Sequence, residues 1–431
     1  MLIMKIPTAI KQYLKKFKFI IKIMTILSRC KILFDKRNFF FLLNRINYYK
    51  GLKKVDLLIY DNIYPHPVSG FRLEEFTGLL SEFSKSKIIM WPASYSIINT
   101  PITEHKKHIK SLIEVNQSLS KKLKIRNGFI NINAKLFYCV FINNIYDNLY
   151  WLEKFKIPFI FTLYPGGGFQ VDNEIIDKKL KMVFNSPMFK KVIVTQLYTR
   201  DYLLKKDFCK QEAIEYIFGG VVPQNSIQKE LNDKKSYLVN KPTFDICFCA
   251  AKYTPRGEDK GYDVFIDFAH QIVAKYDFIR FHIIGGFSEN DIDITLIKDN
   301  IQFYGYQKFE KLSTIFKNMD VLVSPNKPFV LGKGGFDGFP LGTVVEAALN
   351  GVVTLISDGL KQNSIFTTNE DLIIIESKSS SIEKEIIALI EQPEKLYIIS
   401  KKGREKFMEV YSNEIQMKPR IDLLKKEIAK A

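Results

Sequence analysis

The sequence has few cysteines, five among 431 residues, at positions 30, 139, 209, 247 and 249. Their number and irregular spacing exclude a disulfide framework, and no pair has the spacing of a zinc site, so a reducing compartment is expected. Cys247 and Cys249 in "FDICFCA" lie two apart, on one side of a strand, and read as core. There is no run of 18 uninterrupted apolar residues: Lys22 breaks "FIIKIMTIL". No small-residue cleavage site follows, so the N-terminus is expected neither to span a membrane nor to be exported. Short-period repeats and low-complexity tracts are missing too, apart from the cluster "SKSSS", where Ser380 and Glu383 have the spacing of a capping box. Acidic residues are scarce at the start. Residues 1–54 hold 14 Lys and Arg against Asp35 alone, so +13 of the net charge of +18 sits there and +5 remains for everything else.

That distribution argues against a nucleic-acid-binding body and for a basic arm on a nearly neutral one. On a helical wheel Lys11, Lys15, Lys18, Lys22 and Arg29 form a narrow stripe. Ile10, Leu14, Phe17, Ile21, Met24 and Leu27 cover a broad opposite face, the pattern of a helix lying in a membrane interface. Each basic residue near an anionic leaflet contributes about 1 kcal/mol, so residues 1–50 are expected to dock on an anionic membrane surface. The alternative is a helix packed on the body.

With 46% hydrophobic and 26% charged residues, the chain can bury the cores of two or three domains. From Lys54 onward strands and helices alternate. "VDLLIY", "KIIMW", "LFYCVFI", "PFIFTLY", "KVIVT" and "IEYIF" read as buried strands between helical stretches, the rhythm of a parallel sheet. The composition turns polar between Gln224 and Thr243, a linker. A second series follows in "FDICFCA", "IRFHIIG", "IQFYG", "DVLVSP" and "LIIIE". The expected fold class is α/β, with two Rossmann-like doubly wound domains facing a central cleft. The boundaries are a basic segment at 1–54, a first Rossmann-like domain at 55–235, a second at 236–400, and C-terminal helices at 401–431 that are expected to pack back on the first domain. Such folds place ligands at the carboxyl ends of their strands.

The stretch "FDGFPLGTVVEAALNGVVTLISD", Phe336 to Asp358, combines what a sugar nucleotide requires. Glycines allow close backbone approach, a helix N-terminus offers free N–H groups and a positive dipole end, and carboxylates bind hydroxyls. Asp337 and Glu346 are the carboxylates. Each also has a structural reading, Glu346 as the N3 partner of an N-cap Thr343 and Asp337 as a turn aspartate beside glycine.

This region resembles the retaining glycosyltransferases of family 4, the group 1 glycosyl transferases, which have the two-domain GT-B fold. Their signature is a glutamate, Gly-Phe-Gly or Gly-Phe-Pro, then a second glutamate followed by Ala, a small-residue helix, Gly and a strand ending near Ser-Asp. Here "DGFP" is followed by "EAALNGVVTLISD". The resemblance implies that Asp337 binds hydroxyls of the transferred sugar and Glu346 the ribose, with Gly335, Gly338, Phe339, Pro340 and Thr343 around the donor. The first acid is Asp rather than Glu, and eight residues separate the pair instead of seven. Upstream, "CFCAAKYTPRGEDKGYDVFIDFA" is similar to the family's strand, Gly-Arg turn and Lys-Gly helix start. Lys252 stands where the family has arginine, and Lys260 is the lysine of Lys-Gly. Two cations on one loop suit a pyrophosphate leaving group; Arg256, in a loop three residues longer, is a weaker candidate. "IQFYGYQKFEKLSTIFKNMDVLVSPN" places backbone around Gly305 and Tyr306 beside the base. These matches run over residues 244–358.

The N-terminal half resembles the family in outline. His66, Ser69, Gly70 and Arg72 in "YPHPVSGFRLEEF" are expected to line the cleft. Tyr164 in "FTLYPGGGF" replaces the family's histidine, and Gly166, Gly167 and Gly168 allow either ligand approach or a flexible turn. "DID", Asp291 to Asp293, reads as a solvated loop, His105 and His108 as an exposed helix face, and His270 and His282 as satisfied structural residues. No metal site and no required cofactor are expected.

The resemblance implies an EC 2.4 hexosyltransferase acting from a nucleotide diphosphate sugar, retaining and metal-independent, with His66 as base if the outcome is inverting. The basic N-terminus points to a lipid-linked oligosaccharide or surface polysaccharide acceptor. The setting expected is the inner face of a bacterial cell membrane, with the protein cytoplasmic and peripheral and no nucleic acid bound. Two rivals are another GT-B enzyme, a nucleotide-sugar epimerase or inverting transferase, and a non-catalytic membrane or nucleic-acid binding protein.

Overall fold

The computed structural model describes residues 48–431 apart from 97, 99, 127, 128, 228, 229 and 232. The amphipathic segment expected before Tyr48 lies outside the described residues. One small unit holds a parallel ribbon of β1 (Tyr48–Tyr49) and β5 (Ile130–Asn131), with the Asn131 side chain accepting from Gly51 N and donating to the Lys53 carbonyl.

The large unit, residues 54–126 and 134–431, contains two parallel sheets. The first is built from β2 (Val55–Asp61), β3 (Ser86–Met90), β4 (Leu123–Ile125), β6 (Ala134–Val140), β7 (Phe159–Leu163), β8 (Phe189–Val194) and β9 (Ile214–Tyr216), in the order β4-β3-β2-β6-β7-β8-β9. The second is built from β10 (Phe244–Ala250), β11 (Ile279–Gly285), β12 (Ile301–Gly305), β13 (Val321–Ser324), β14 (Val353–Ser357) and β15 (Ile373–Ile375), in the order β12-β11-β10-β13-β14-β15. In each, the chain fills one side of its first strand before crossing to the other. The strand order therefore reverses between β2 and β6 and between β10 and β13, and loops diverge there to leave a crevice at the carboxyl ends.

Helices cover both faces, so the strands read as nearly continuous apolar runs. Along β10, Phe244, Ile246 and Phe248 pack with Phe265, Phe268 and Ile272 of the helix Tyr262–Val273, while Cys247 and Cys249 face Val344, Val345 and Ala348 of the helix Gly342–Leu349. The two thiols share one core face and are free. In the first domain Leu57 and Ile59 meet Phe76, Leu79 and Leu80 of the helix Gly70–Glu82, together with Met417 and Leu424 of the C-terminal helix Asn413–Ala429. That last helix therefore completes the core of the first sheet from the far end of the chain. It is pinned by Arg420, fully buried, which donates to the Tyr164 hydroxyl at 3.3 Å, while Tyr164 donates to Glu75 at 2.9 Å.

Two local expectations are corrected. The helix read as starting near Ser380 begins at Ser379 with Lys378 as its N-cap and no side-chain cap; Glu383 pairs instead with Lys275 at 2.9 Å. The stretch read as linker contains a short helix, Gln224–Ile227, and Lys241 in a buried ion cluster with Asp245 and Asp320.

Candidate donor site at the edge of the second sheet

The helix Gly342–Leu349 starts directly after the Gly-Phe-Pro loop, with Leu341 as its N-cap. Thr343 does not cap it: its hydroxyl donates to the Cys249 carbonyl at the end of β10, 2.9 Å away. The capping box read from the spacing of Thr343 and Glu346 is thus not formed. Glu346 Oε2 is closed off from solvent and has no hydrogen-bond partner among the described residues. Burial pushes this carboxyl up to about pKa 8. A buried carboxyl oxygen without a donor carries a desolvation penalty of about 1–3 kcal/mol, and a ligand hydroxyl would relieve it.

The loop after β10 turns on two left-handed glycines, Gly257 at φ 68° and Gly261 at φ 71°. A Cβ on Gly261 would lie 2.1 Å from the Pro325 carbonyl oxygen, so the loop can approach the end of β13 this closely only with glycine there. The turn buries Lys260, whose ammonium donates to Asp337 Oδ2 at 2.5 Å and lies 5.2 Å above the Tyr253 ring. Asn326 donates to the same oxygen at 3.1 Å, and Gln362 Nε2 donates to the Asp337 carbonyl at 3.2 Å. Lys260 and Asp337, expected to take opposite ends of a donor, are here each other's counter-ions.

Lys252 is held separately. Asp291 accepts from it at 2.6 Å and from Ser288 N at 2.9 Å, so the expected solvated "DID" loop supplies a partly buried counter-ion; burial acts to raise its carboxyl, but the Lys252 and Ser288 bonds outweigh it and leave it below the ordinary aspartate range. Asp293 bonds Thr295 locally. Arg256 is exposed. Gly305, at φ 64°, has open space where a Cβ would stand, and Tyr306 beside it is 69% exposed. A pocket of about 420 Å³, its open mouth included, is lined by Ser324, Asn326, Gly338, Ser357, Asp358 and Gln362 among others, at the ends of β13 and β14.

Across the seam, Gln196 clasps Phe339, and Val171 N donates to the Gly334 carbonyl at 2.9 Å. Phe336 packs against Phe169 and Tyr198. Gly335 carries the Phe329 N–H on its carbonyl at 2.7 Å.

In the first domain, Ser69 precedes the helix Gly70–Glu82 without a side-chain cap. Its hydroxyl accepts from Arg72 Nε at 2.8 Å, and Arg72 reaches Asp61 at 3.2 Å and Asn62 at 3.1 Å. His66 is placed contrary to a base. Its Nδ1 accepts from Val68 N at 3.0 Å, which fixes the neutral Nε2–H tautomer, and Nε2 faces the Thr100 hydroxyl at 3.3 Å. No lone pair is left to take an acceptor's proton. Burial, followed by the neighbouring His108, brings its pKa down to about 4. His105 and His108, read as an exposed face, join this cluster: His105 is buried with Nε2 against the Tyr64 carbonyl, and His108 bonds Tyr95. His282 is satisfied by Asp245 and Tyr304, whereas buried His270 Nε2 has no partner among the described residues.

Tyr164 is buried, its hydroxyl turned into the Glu75 and Arg420 network rather than a cleft. A Cβ on Gly167 would lie 2.1 Å from Phe141 and one on Gly168 2.1 Å from Asn143, so the close approach allowed by these two is to the chain itself. Gly166 is open. Phe141, at φ 74°, is a strained residue at the end of β6 beside the strand-order reversal. Asn326, Gln362 and Gln196 were missed by sequence reasoning. Only Asn326 had a signal, in the "SPN" that ends β13.

Residues 239–406 match the family model described as glycosyl transferases group 1. No curated protein matches the chain in sequence. Among solved structures, the chain is similar to HepE from Anabaena in complex with UDP and glucose, with 12% identity and a TM-score of 0.57 over 87% of this chain and 98% of that one. It is also similar to a glycosyltransferase from Rickettsia africae, with 12% identity and a TM-score of 0.59 over 88% and 100%. A third is sucrose-phosphate synthase from Thermosynechococcus elongatus, with 14% identity and a TM-score of 0.57 over 87% and 100%. At these identities the likeness establishes the fold, which is GT-B, and in sequence residues 239–406 are similar to the group 1 glycosyl transferases.

Proposed function

We propose that the protein is a glycosyltransferase that moves a hexosyl unit from a nucleotide diphosphate sugar to an acceptor held by the first domain. The observation that carries this reading is Glu346, a sealed carboxyl oxygen without a donor at the carboxyl edge of the second sheet, inside the segment that matches the group 1 family. Glu346 would take the ribose hydroxyls. Lys260 would leave Asp337 for the diphosphate, with Lys252 as second cation, and Asp337, released, would take hydroxyls of the transferred sugar. Gly305 and Tyr306 would border the base, and the backbone of Gly335, Gly338, Phe339, Pro340 and Thr343 the sugar and phosphate. The exchange turns the Lys260 ammonium from a carboxylate to the diphosphate, and the charge developing on the leaving diphosphate meets an ammonium already in position.

Most of the rate then comes from positioning and charge stabilisation. Retention of configuration and independence of a metal belong to this proposal, and so do the acceptor-side roles of Ser69, Gly70, Arg72 and Gly166. Tyr164 enters only as a structural neighbour. A lipid-linked oligosaccharide or surface polysaccharide, met at the inner face of the membrane through residues 1–50, is the acceptor class the basic N-terminus favours. No helix among the described residues is long and apolar enough to cross a membrane.

The test is a thermal-shift screen of the full chain with UDP, GDP, CDP and their sugars, followed by mass analysis of a lipid-oligosaccharide acceptor. One nucleotide should raise the melting temperature, and its sugar should appear on the acceptor. Stabilisation by none of them, or release of an epimerised sugar without transfer, would sink the proposal.

A further inference from the structure

Gln196 follows β8 and is the N-cap of the helix Leu197–Lys205, yet its side chain makes no cap hydrogen bond there. It is 3% exposed, and its carboxamide is turned to the other domain. Nε2 donates to the Phe339 carbonyl at 3.2 Å, and Oε1 accepts from Phe339 N at 3.2 Å. This reciprocal pair satisfies both backbone groups of a residue 143 positions away, in a place closed to water. A Cβ on Gly338 would come 3.2 Å from Gln196 Nε2 and 3.8 Å from Pro165, so the loop lies directly on the first domain.

Phe339 is two residues from Asp337, whose carboxylate and carbonyl are held on the opposite side by Lys260, Asn326 and Gln362, all of the second domain. The three-residue span Asp337–Phe339 is therefore anchored once in each domain. A shift of the first domain away from the second must pull on the loop that carries Asp337, whereas Glu346 sits on a helix packed mainly on second-domain residues such as Cys247, Leu322 and Ile356, with Phe218, Val222 and Ile227 in the same cluster.

We propose that Gln196 is a positioning residue: through Phe339 it sets the loop that presents Asp337 and the neighbouring amides to the transferred sugar, so that the sugar is held for reaction only when the two domains are closed. The nucleotide end of the donor does not depend on it. This inference rests on the donor-site reading above, and it adds a first-domain residue that reads the sugar end without touching it.

The test uses the full chain with Gln196→Ala and Gln196→Glu. Calorimetry measures binding of the nucleoside diphosphate that stabilises the wild type, and steady-state transfer gives kcat and KM for its sugar. The expected result is nucleoside diphosphate affinity within about twofold of wild type and kcat lower by roughly 10- to 100-fold, the scale of two buried hydrogen bonds that fix a reacting group. If the alanine variant fails to fold, the glutamate variant decides. It keeps the acceptor for Phe339 N but sets a carboxylate against the Phe339 carbonyl, and the same split is expected. Unchanged kcat in a folded variant, or nucleoside diphosphate affinity falling in step with kcat, overturns the positioning role alone. A wild-type chain that binds no nucleotide sugar overturns the donor-site reading and this inference with it.

Discussion

At the scale of single residues, protonation of Glu346 ties the donor site to pH. With its carboxyl pushed up to about 8 by burial, Glu346 is mostly protonated at pH 7 in the unliganded protein. Hydroxyl donors favour the carboxylate, so a sugar nucleotide that bonds it must bring the pKa down and release a proton. Binding measured at pH 7 in buffers of different ionisation enthalpy should show release approaching one proton per site, and affinity should rise with pH up to about 8 and level off above it. Glu346→Gln should abolish both effects; release that persists in the variant would place the titrating group elsewhere. The same shift has a sign for the unliganded fold. A carboxyl raised above its unfolded value contributes stability that is present below about pH 4.5 and is lost as pH rises through 8. The sequence made Glu346 legible by its surroundings, because glycines, a helix start and a second acid stand close together. It could not show that Thr343 bonds Cys249 and leaves Glu346 without a partner, since that choice is made between a helix start and a strand end 94 residues apart. His66 was misread for a related reason: the donor that occupies its Nδ1 is a backbone N–H, which no side-chain pattern encodes.

At the scale of elements, buried strands were the most legible part. "FDICFCA" and "IRFHIIG" coincide with β10 and β11 because a parallel strand covered on both faces must be apolar throughout. The three-residue β4, with Lys124 exposed at a sheet edge, left no such run and was not read. The C-terminal helix Asn413–Ala429 was legible as a helix, but its anchor was not. Arg420 resembles any solvated arginine in the sequence, yet in the fold it is fully buried, donating to Tyr164 and to the Gln416 carbonyl. Behind it Glu75 accepts from both Tyr138 and Tyr164. Removing the guanidinium leaves a buried carboxylate and two tyrosines without their cation. Arg420→Ala is expected to destabilise the first domain by roughly 3 kcal/mol, the scale for breaking one side of a buried charged network. Urea unfolding would read this as a lower midpoint at unchanged slope, and a loss under about 1 kcal/mol would assign the helix's anchoring to its apolar face alone.

At the scale of the whole molecule, one of the segments that join the two domains is a ten-residue stretch, Lys327 to Phe336, that separates the "SPN" of β13 from the "DGFP" loop. Lys327 is held in the second domain by Asp263, but the rest has partners in the first: Val171 bonds Gly334, Phe169 and Tyr198 pack on Phe336, and Gln196 takes Phe339 just beyond. Gly334 is the tightest point. At φ 76° it lies in the left-handed region, and a Cβ there would stand 1.8 Å from the Val171 carbonyl oxygen. That oxygen belongs to backbone and cannot swing aside as a side chain would. Gly334→Val must therefore open the seam, while the cores of both sheets, which do not include residue 334, stay packed. Hydrogen exchange separates the two effects, because amide protection reports local opening. Val171 and Phe339, whose N–H groups are bonded across the seam, should exchange faster in the variant, with the amides of β2, β6, β10 and β13 unchanged. If Phe339 keeps its protection, Gln196 holds the loop without help from Gly334 and the seam is two independent contacts. If the strands lose theirs as well, the stretch is part of the folding core and its role as a connector is wrong.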